Sequence, residues 1–456
     1  MEKTTFKTPV VKKSLNPVWD EEFTFDITKE STSPTSMTVL EVVVWHSNAI
    51  LSNDCLGIVN VPLHTLEPGQ QVEQEYVLAA RKSKDKVSGK IRLSLLRSDS
   101  TDQLGTRDFE LLATLGQGSY GKVLQVRKKD TGRIYAMKII KKETLIRREK
   151  VKHTRAEKSI LIQANAFPFL VGLKYSFQTD DKLYLVLDYV SGGELFFHLQ
   201  QARRFPEDRA RFYAAEILLA LEFLHSNDIM YRDLKPENIL LDDQGHVMLT
   251  DFGLCKEGLG MEDRTMTFCG TPEYMAPEML AKKPYGMEVD WWSLGTLLFE
   301  MLSGLPPFYS KNGSQMVKQI MEADIKWPAH FTEHAKDICT GLLDRDPTKR
   351  YGAGAAGTAV LKQHPFFASI DWDGLLARKV TPPFVPKVRT ETDVSNFDPR
   401  FTGQAASDGP EKTDKPINES LQKLFHGFEY NTSSSDNIDE AEEAMAKATI
   451  KDKGKA

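Results

Sequence analysis

The sequence predicts an α+β chain, with an all-β, sandwich-like module ahead of a larger body that starts in strands and continues in long helices. Three observations carry this. Early in the chain apolar residues alternate with period two, as in Phe23-Thr24-Phe25-Asp26-Ile27, the pattern of a half-buried strand. From Phe109 onward, strand patterns give way to stretches with apolar residues at helical spacing. Between the two lies Ser98-Asp99-Ser100-Thr101-Asp102, a polar run with the composition of a linker.

Within the first module, Val39 to Trp45 is a β-branched run suited to a buried strand. Val87 to Leu96 closes the module with Gly89 and the alternating Ile91, Leu93 and Leu95. In the larger body, Pro206 to His225 opens with Pro-Glu-Asp, an expected helix start, and continues at helical spacing. From Pro382 the chain is Pro-rich (Pro382, Pro383, Pro386) and then polar through Glu411 to Lys415, before an aromatic island at Phe425 to Tyr430. After Asn431 residues are small, polar or charged, with Asp436 to Glu443 acidic and Lys447 to Lys455 basic. A tail with so little apolar surface is expected to be disordered. The expected divisions are a β module at 1–97, a linker at 98–108, a main body at 109–367, an extension at 368–430 and the tail at 431–456.

Composition narrows the function. Lys plus Arg number 59 against 64 Asp plus Glu, a net charge of −5 that excludes a generally basic, nucleic-acid-coating protein. The four cysteines, Cys55, Cys255, Cys269 and Cys339, form no C-x-x-C pair, which argues against a disulfide framework or a zinc module and fits a reducing compartment. No segment has the roughly 18 apolar residues of a membrane span; the richest, Ile217 to Leu224, contains Glu222. The first residues lack a signal-peptide core and a myristoylation glycine, and the last lack a prenylation cysteine. The expectation is a cytoplasmic protein.

The chemistry lies in a series of motifs. Gly116-Gln117-Gly118-Ser119-Tyr120-Gly121-Lys122-Val123 is a G-x-G-x-x-G-x-V string, which alone could be a hairpin turn. It is followed by Ala136-Met137-Lys138 at the end of an apolar alternation, and by Glu157 on an expected helix. Tyr231-Arg232-Asp233-Leu234-Lys235-Pro236-Glu237-Asn238, Asp251-Phe252-Gly253 and Ala276-Pro277-Glu278 come next. In this order the set resembles the catalytic domain of the eukaryotic protein kinases over about 109–367, and implies their bilobal α+β fold with a small β-rich lobe and a large helical lobe.

Each part of the resemblance has a physical reason. Glycines let backbone N–H groups close over the phosphates of ATP with no Cβ in the way. Lys138, paired with Glu157, would hold the α- and β-phosphates. Asn238 and Asp251 would supply oxygen ligands to Mg2+. Asp233 would orient the substrate hydroxyl and accept its proton, and Lys235 would reach the γ-phosphate, a residue that marks serine/threonine kinases. The resemblance further implies that Leu115, Gly116, Gly118, Gly121, Val123, Ala136, Asp188, Val190 and Glu194 line the nucleotide. Leu161, Leu173, Tyr231 and Phe252 fall where the family stacks an apolar column.

The run Thr265-Met266-Thr267-Phe268-Cys269-Gly270-Thr271-Pro272-Glu273-Tyr274 resembles the activation segment of the AGC group, the protein kinases A, B and C. Thr267 matches the activation phosphosite, the target of an upstream kinase of the phosphoinositide-dependent type, and its phosphate would pair with Arg232. Thr271 matches the residue that braces Asp233 and Lys235. Glu278 and Arg350 match a buried ion pair, and Asp290 a carboxylate that supports the catalytic loop. Ser395-Asn396-Phe397-Asp398 resembles the tail segment that sets Phe397 beside the adenine, and Phe425-His426-Gly427-Phe428-Glu429-Tyr430 resembles the hydrophobic motif. There, Glu429 stands where most members carry a phosphorylatable residue. Gly409 precedes Pro410 where the turn motif expects Thr, with Ser407 nearby. The core most resembles protein kinase B and the serum/glucocorticoid-regulated or fungal Ypk-type kinases.

Glu194, Glu237 and Glu300 match positions that pair with arginines ahead of the target hydroxyl, so the implied partners are proteins with Arg-x-Arg-x-x-Ser/Thr-like sites. Leu254 mildly favours Ser. At the other end, Leu15-Asn16-Pro17-Val18-Trp19-Asp20-Glu21-Glu22-Phe23 resembles the C-two type β-sandwich, a phospholipid-binding module, here only in part. Its calcium-loop Asp-x-Asp reads His46-Ser47-Asn48, leaving Asp54, too few carboxylates for a calcium site. Phospholipid or protein contact and recruitment to membranes are what this module implies. The rivals are a pseudokinase scaffold, which would need a missing Lys, Asp or Asn, and an adaptor acting mainly through the first module.

Overall fold

The computed structural model divides the chain into two compact units, Met1–Leu104 and Gly105–Ala456. It describes residues 104–431 apart from 119–120, 261–262, 355–356 and 410–416, and in the first unit 7–8, 10–12, 14–19, 21, 23, 38–46, 54–67, 71–81 and 87–96. Most of the Phe23–Ile27 strand pattern, Ser47 and Asn48 of the calcium loop, Ser119 and Tyr120, the Ser98–Asp102 linker, Glu411–Lys415 and the tail beyond Asn431 lie outside the described residues.

In the first unit, β1 (Val39–His46) pairs antiparallel with β2 (Asp54–Pro62), and β3 (Gln71–Val77) with β4 (Lys90–Leu96). Backbone hydrogen bonds between Ile58 and Ala79, at 2.9 and 2.8 Å, link β2 to the residues after β3. Val59, Val61, Leu63 and Leu66 form its buried core, lined by Leu40, Val42, Tyr76, Leu78, Ile91 and Leu95. Strand β1 is not the buried strand its valines suggest. Val39 and Trp45 are exposed and Val42 to Val44 half-buried, because only one face of the β1–β2 pair meets that core.

The second unit opens with β5 (Phe109–Gln117), β6 (Gly121–Lys128) and β7 (Ile134–Lys141), continues through α1 (Lys142–Arg147) and α2 (Val151–Ala164), and adds β8 (Leu173–Gln178) and β9 (Lys182–Asp188). With β12 (Tyr430–Asn431) from the far end of the described chain, these strands form an antiparallel sheet in the order β12-β8-β9-β7-β6-β5. The chain then crosses through Tyr189 and Val190 into a helical lobe: α3 (Leu195–Ala202), α4 (Glu207–Ser226), the short hairpin β10 (Ile239–Leu241) and β11 (Val247–Leu249), α5 (Pro277–Leu280), α6 (Glu288–Ser303), α7 (Gly313–Glu322) and α8 (Glu333–Leu342). Short helices α9 (Gly357–Lys362) and α10 (Trp372–Leu376) complete it, and α11 (Pro399–Thr402) and α12 (Glu419–Gln422) belong to the extension that follows. The bilobal kinase fold expected from the motifs is present.

Helix α4 starts where Pro-Glu-Asp predicts, with Glu207 and Asp208 in its first turn, where the helix dipole favours negative charge. It and α6 are buried over most of their surface, and they carry the lobe's core. Among the described residues no helix is long and apolar enough to cross a membrane.

Beneath α6, Arg350 donates to both oxygens of Glu278 at 2.7 and 3.0 Å and to the carbonyls of Glu288 and Asp344, with its guanidinium 5.3 Å from the Trp292 ring centre. Both side chains are buried. Removing one partner strands the other charge in the core. Glu278→Ala is therefore expected to cost about 3–5 kcal/mol, read as a lowered urea midpoint with an unchanged slope.

Candidate active site

The sheet places one half of the site. Val123 on β6 lies opposite Lys138 on β7, and Gln125 opposite Ala136, so period two sends Val123, Ala136 and Lys138 to one face. The β5–β6 hairpin closes with the Gly118 amide on the Gly121 carbonyl at 2.8 Å. At Gly121 a Cβ would meet the Ile139 carbonyl at 1.7 Å, so glycine is required by packing there. At Gly116 and Gly118 a Cβ would meet nothing within 4 Å, which leaves open space above that face. Leu115 and Val190 are buried beside it. The Asp188 carboxylate accepts from the Gly172 amide at 3.1 Å and lies 3.2 Å from Lys174 Nζ.

Lys138 Nζ donates to Glu157 Oε1 at 2.6 Å and to Asp251 Oδ1 at 3.1 Å. Burial alone would lower the Lys138 pKa, but Asp251 and Glu157 outweigh it and raise it. In return the Lys138 ammonium holds Asp251 below the usual carboxylate range, against the effect of burial. The α2 helix is thus tied to the sheet and to the Asp-Phe-Gly segment through one ammonium. Leu161, Leu173, Tyr231 and Phe252 are all buried in the same core, the last two rings edge-to-face at 5.8 Å.

The helical lobe supplies the other half. Asp233 Oδ2 accepts from Lys235 Nζ at 2.9 Å and Asn238 Nδ2 at 2.8 Å, and its Oδ1 from Thr271 Oγ1 at 3.3 Å. Lys235 also reaches Thr271 Oγ1 at 3.1 Å. The loop is held from below by Asp290, wholly buried, which accepts from the Tyr231 and Arg232 amides at 2.9 and 2.8 Å and lies 2.7 Å from His225 Nε2. Arg232 and Asp251 have φ of +67° and +56°, a left-handed backbone that non-glycine residues rarely adopt and that the surrounding bonds enforce. With its amide nitrogen committed to Asp233, Asn238 has its oxygen left for a cation, and Asp251 is half exposed and ionised. The two suit Mg2+, which takes few protein ligands when phosphates supply the rest. Among the described residues no three His, Cys, Asp or Glu cluster as a self-sufficient metal site.

Thr267 is exposed, and its carbonyl accepts from the Tyr285 hydroxyl at 2.5 Å. Arg232 donates to the carbonyls of Leu254 at 2.7 Å and Cys255 at 3.2 Å and to that same hydroxyl at 3.5 Å. Burial, then the charges of Lys150 and Arg232, push the His153 pKa down, so His153 lies within electrostatic reach of both. Glu237 lies near enough for both Glu194 and Glu300 to feel its charge. Burial, with Glu237 and Asp398 adding, pushes Glu194 up to about 7. Burial also pushes Glu300 up to about 7, against a hydrogen bond from the Tyr274 hydroxyl.

The extension wraps the small lobe. Phe397 is buried and stacked on Tyr189 at 6.0 Å, beside the crossing between lobes, while Asn396 Nδ2 bonds the Ser191 and Lys387 carbonyls. Further on, Phe425 and Phe428 are buried against α2 and β8. Arg155 donates to the Leu424 and His426 carbonyls at 2.8 Å, and Lys158 to that of Glu429 at 3.1 Å. Ser176 Oγ donates to the Phe428 carbonyl, Glu429 Oε1 accepts from Gln178 Nε2 at 2.7 Å, and Tyr430 joins the sheet opposite Ser176. Sequence reasoning missed His153, Tyr285, and the contacts of Lys182 and Tyr184 with Asp408. Nothing local marks them, since each acts on a residue far along the chain.

A sheet-roofed cleft holding this lysine–carboxylate–amide set defines the class: a phosphotransferase of the protein kinase fold. Comparison with known proteins agrees. The protein kinase domain family matches residues 109–367, the protein kinase C terminal domain 388–430 and the C2 domain 1–78. The chain is 52% identical over 334 residues to a RAC family serine/threonine-protein kinase homolog of Dictyostelium discoideum, covering 72% of this chain and 73% of that one. It is 45% identical over 416 residues to serine/threonine-protein kinase gad8 of Schizosaccharomyces pombe, covering 91% and 71%, and 51% identical over 334 residues to serine/threonine-protein kinase Sgk2 of Homo sapiens, covering 73% and 91%. The chain belongs to the protein kinase family, as a serine/threonine kinase of its AGC group.

The docked aromatic pair yields a direct test. Phe428→Ala opens a cavity between α2 and β8, and is expected to cost about 3–5 kcal/mol at that contact. Amide exchange at Tyr175 and Ser176, the β8 residues opposite Asn431 and Tyr430, should accelerate while α6 stays protected.

Proposed function

We propose that the chain transfers the γ-phosphoryl group of ATP, with Mg2+, to Ser or Thr hydroxyls in Arg-x-Arg-x-x-Ser/Thr-like protein sites, and that phosphorylation of Thr267 activates it. The observation that carries this is the convergence of Lys138, Glu157 and Asp251 above Asp233, Lys235, Asn238 and Thr271. Lys138 holds the α- and β-phosphates, and the Gly116 and Gly118 backbone closes over them. Leu115, Val123, Ala136 and Val190 enclose the base, the Asp188 backbone meets its edge, and Phe397 closes the far side. Asp233, its carboxylate fixed from three sides, orients the hydroxyl and accepts its proton, while Lys235 neutralises the γ-phosphate. Bound by Asn238 and Asp251, Mg2+ would neutralise charge on the phosphates. Since general acid–base catalysis contributes about 10²–10⁴-fold, Asp233→Asn should lower kcat by that order with little change in the KM for ATP.

Arg232 makes the case for activation. Its buried guanidinium meets carbonyls and a phenol, and no carboxylate among the described residues, so an anion at Thr267 would find an unneutralised charge, with His153 within its electrostatic reach. An upstream kinase of the phosphoinositide-dependent type is the proposed modifier. Phosphorylation should raise kcat about tenfold or more, and Thr267→Ala should abolish the response; equal kcat before and after modification would sink the idea.

The acids favour arginine in the substrate. Glu194 and Glu300, pushed up to about 7, are largely neutral at pH 6 and ionised at pH 8. Pairing with a guanidinium therefore strengthens as pH rises. KM for an Arg-x-Arg-x-x-Ser peptide is expected to fall about 3- to 10-fold from pH 6 to 8, while that of an Ala-x-Ala version stays flat. The first module, similar to C2 domains, is the proposed contact with phospholipid or protein that would bring a cytoplasmic enzyme to membranes.

A further inference from the structure

Lys182, the first residue of β9, has a side chain only 3% exposed. Its carboxylate partner among the described residues comes from far along the chain. Lys182 Nζ lies 3.1 Å from Asp408 Oδ1 and 3.3 Å from the Asp408 carbonyl, and the Tyr184 hydroxyl donates to Asp408 Oδ2 at 2.8 Å. The Tyr184 ring is fixed by stacking on Phe177 at 4.7 Å, which stacks on Phe109 of β5 at 5.8 Å. One residue earlier, the Ser407 carbonyl accepts from Lys122, the neighbour of Gly121 and the residue paired with Gln117 across the glycine-rich hairpin. Helix α11, just upstream, lies against β5. Ser407 itself is exposed and turns its hydroxyl to the Gly409 amide, so the residue in the pocket is an acid.

We propose that Asp408 is a positioning residue: a fixed carboxylate latch that pins the extension to β9 and, through Lys122 and α11, holds the glycine-rich hairpin in place for nucleotide. An ammonium buried on β9 is costly without a counter-charge, and Asp408 supplies one in every state of the enzyme, with no phosphate added. The latch sits between the two aromatic anchors, Phe397 and Phe425. It raises the local concentration of each at its own pocket without new contacts there. Glu429 on Gln178 is a second fixed acid of the same kind.

The proposal rests on the nucleotide site described above, and its test separates the two. The full chain, phosphorylated on Thr267, is compared with Asp408→Asn, Asp408→Glu and the double variant Lys182→Met/Asp408→Asn. MgATP affinity is read by calorimetry, and the KM values for ATP and peptide by kinetics. Asp408→Asn should weaken ATP binding about 5-fold or more while the peptide KM stays within about twofold, and Asp408→Glu should recover most of the loss. The double variant leaves no buried charge unpaired, so it should fold stably yet still bind ATP weakly. Wild-type ATP affinity in either the folded Asp408→Asn chain or the double variant would overturn the latch. No ATP binding by the unaltered chain would overturn the nucleotide site itself.

Discussion

The site depends first on the ammonium of Lys138. It belongs to the sheet through β7, yet its two partners do not: Glu157 rides on α2, and Asp251 on the loop after β11. An isolated charge at that depth would be driven neutral, and two carboxylates at that depth would repel. Together they are stable only while α2 is packed inward and the Asp-Phe-Gly segment faces the sheet. One ion pair therefore reports on the position of three elements. Everything that stabilises α2 is, at one remove, a support for Lys138.

That is why the extension matters. Arg155 and Lys158 stand on α2 two and one positions from Glu157 in sequence, and they hold the backbone around Phe425 and Phe428. Buried aromatic rings there stabilise the inward position of the helix. The same chain passes Phe397 at the crossing between lobes and Asp408 at the end of β9, so one covalent strap touches the base side, the hairpin side and the α2 side of the nucleotide site. A strap anchored at three points loses little further freedom on closing over ligand.

The motifs that face ligand could be read from the sequence because chemistry fixes their residue types and spacings. Lys138, Glu157, Asp233, Asn238 and Asp251 come together as the resemblance implied. The Pro206 to His225 helix could be placed because its start signal and periodicity are local. Asp408 could not be read, since a single acid in a Gly- and Ser-containing run has no periodicity, and its meaning lies in Lys182, more than two hundred residues away. Burial failed in the same way at β1, where β-branched residues give strand propensity but do not say which face meets a core. Tyr285 and His153 escaped notice for the same reason as Lys182: each acts through a neighbour that the fold alone supplies.

The charges divide regulation by location. At two of the places where the extension meets the small lobe, the anion is a carboxylate, Asp408 with Lys182 and Glu429 with Gln178. Neither contact requires a modification. At the activation segment the arrangement is the reverse: Thr267 is neutral and exposed, and the buried Arg232 has no carboxylate partner among the described residues. A carboxylate brings one charge, and a phosphate nearly two with three acceptor oxygens. Arg232, its backbone amide held by Asp290 and its guanidinium by the Leu254 and Cys255 carbonyls, is suited to the larger anion. On the proposed reading the strap is held permanently and the catalytic loop conditionally, so a single modification, at Thr267, can set the activity of a nucleotide site that is already assembled.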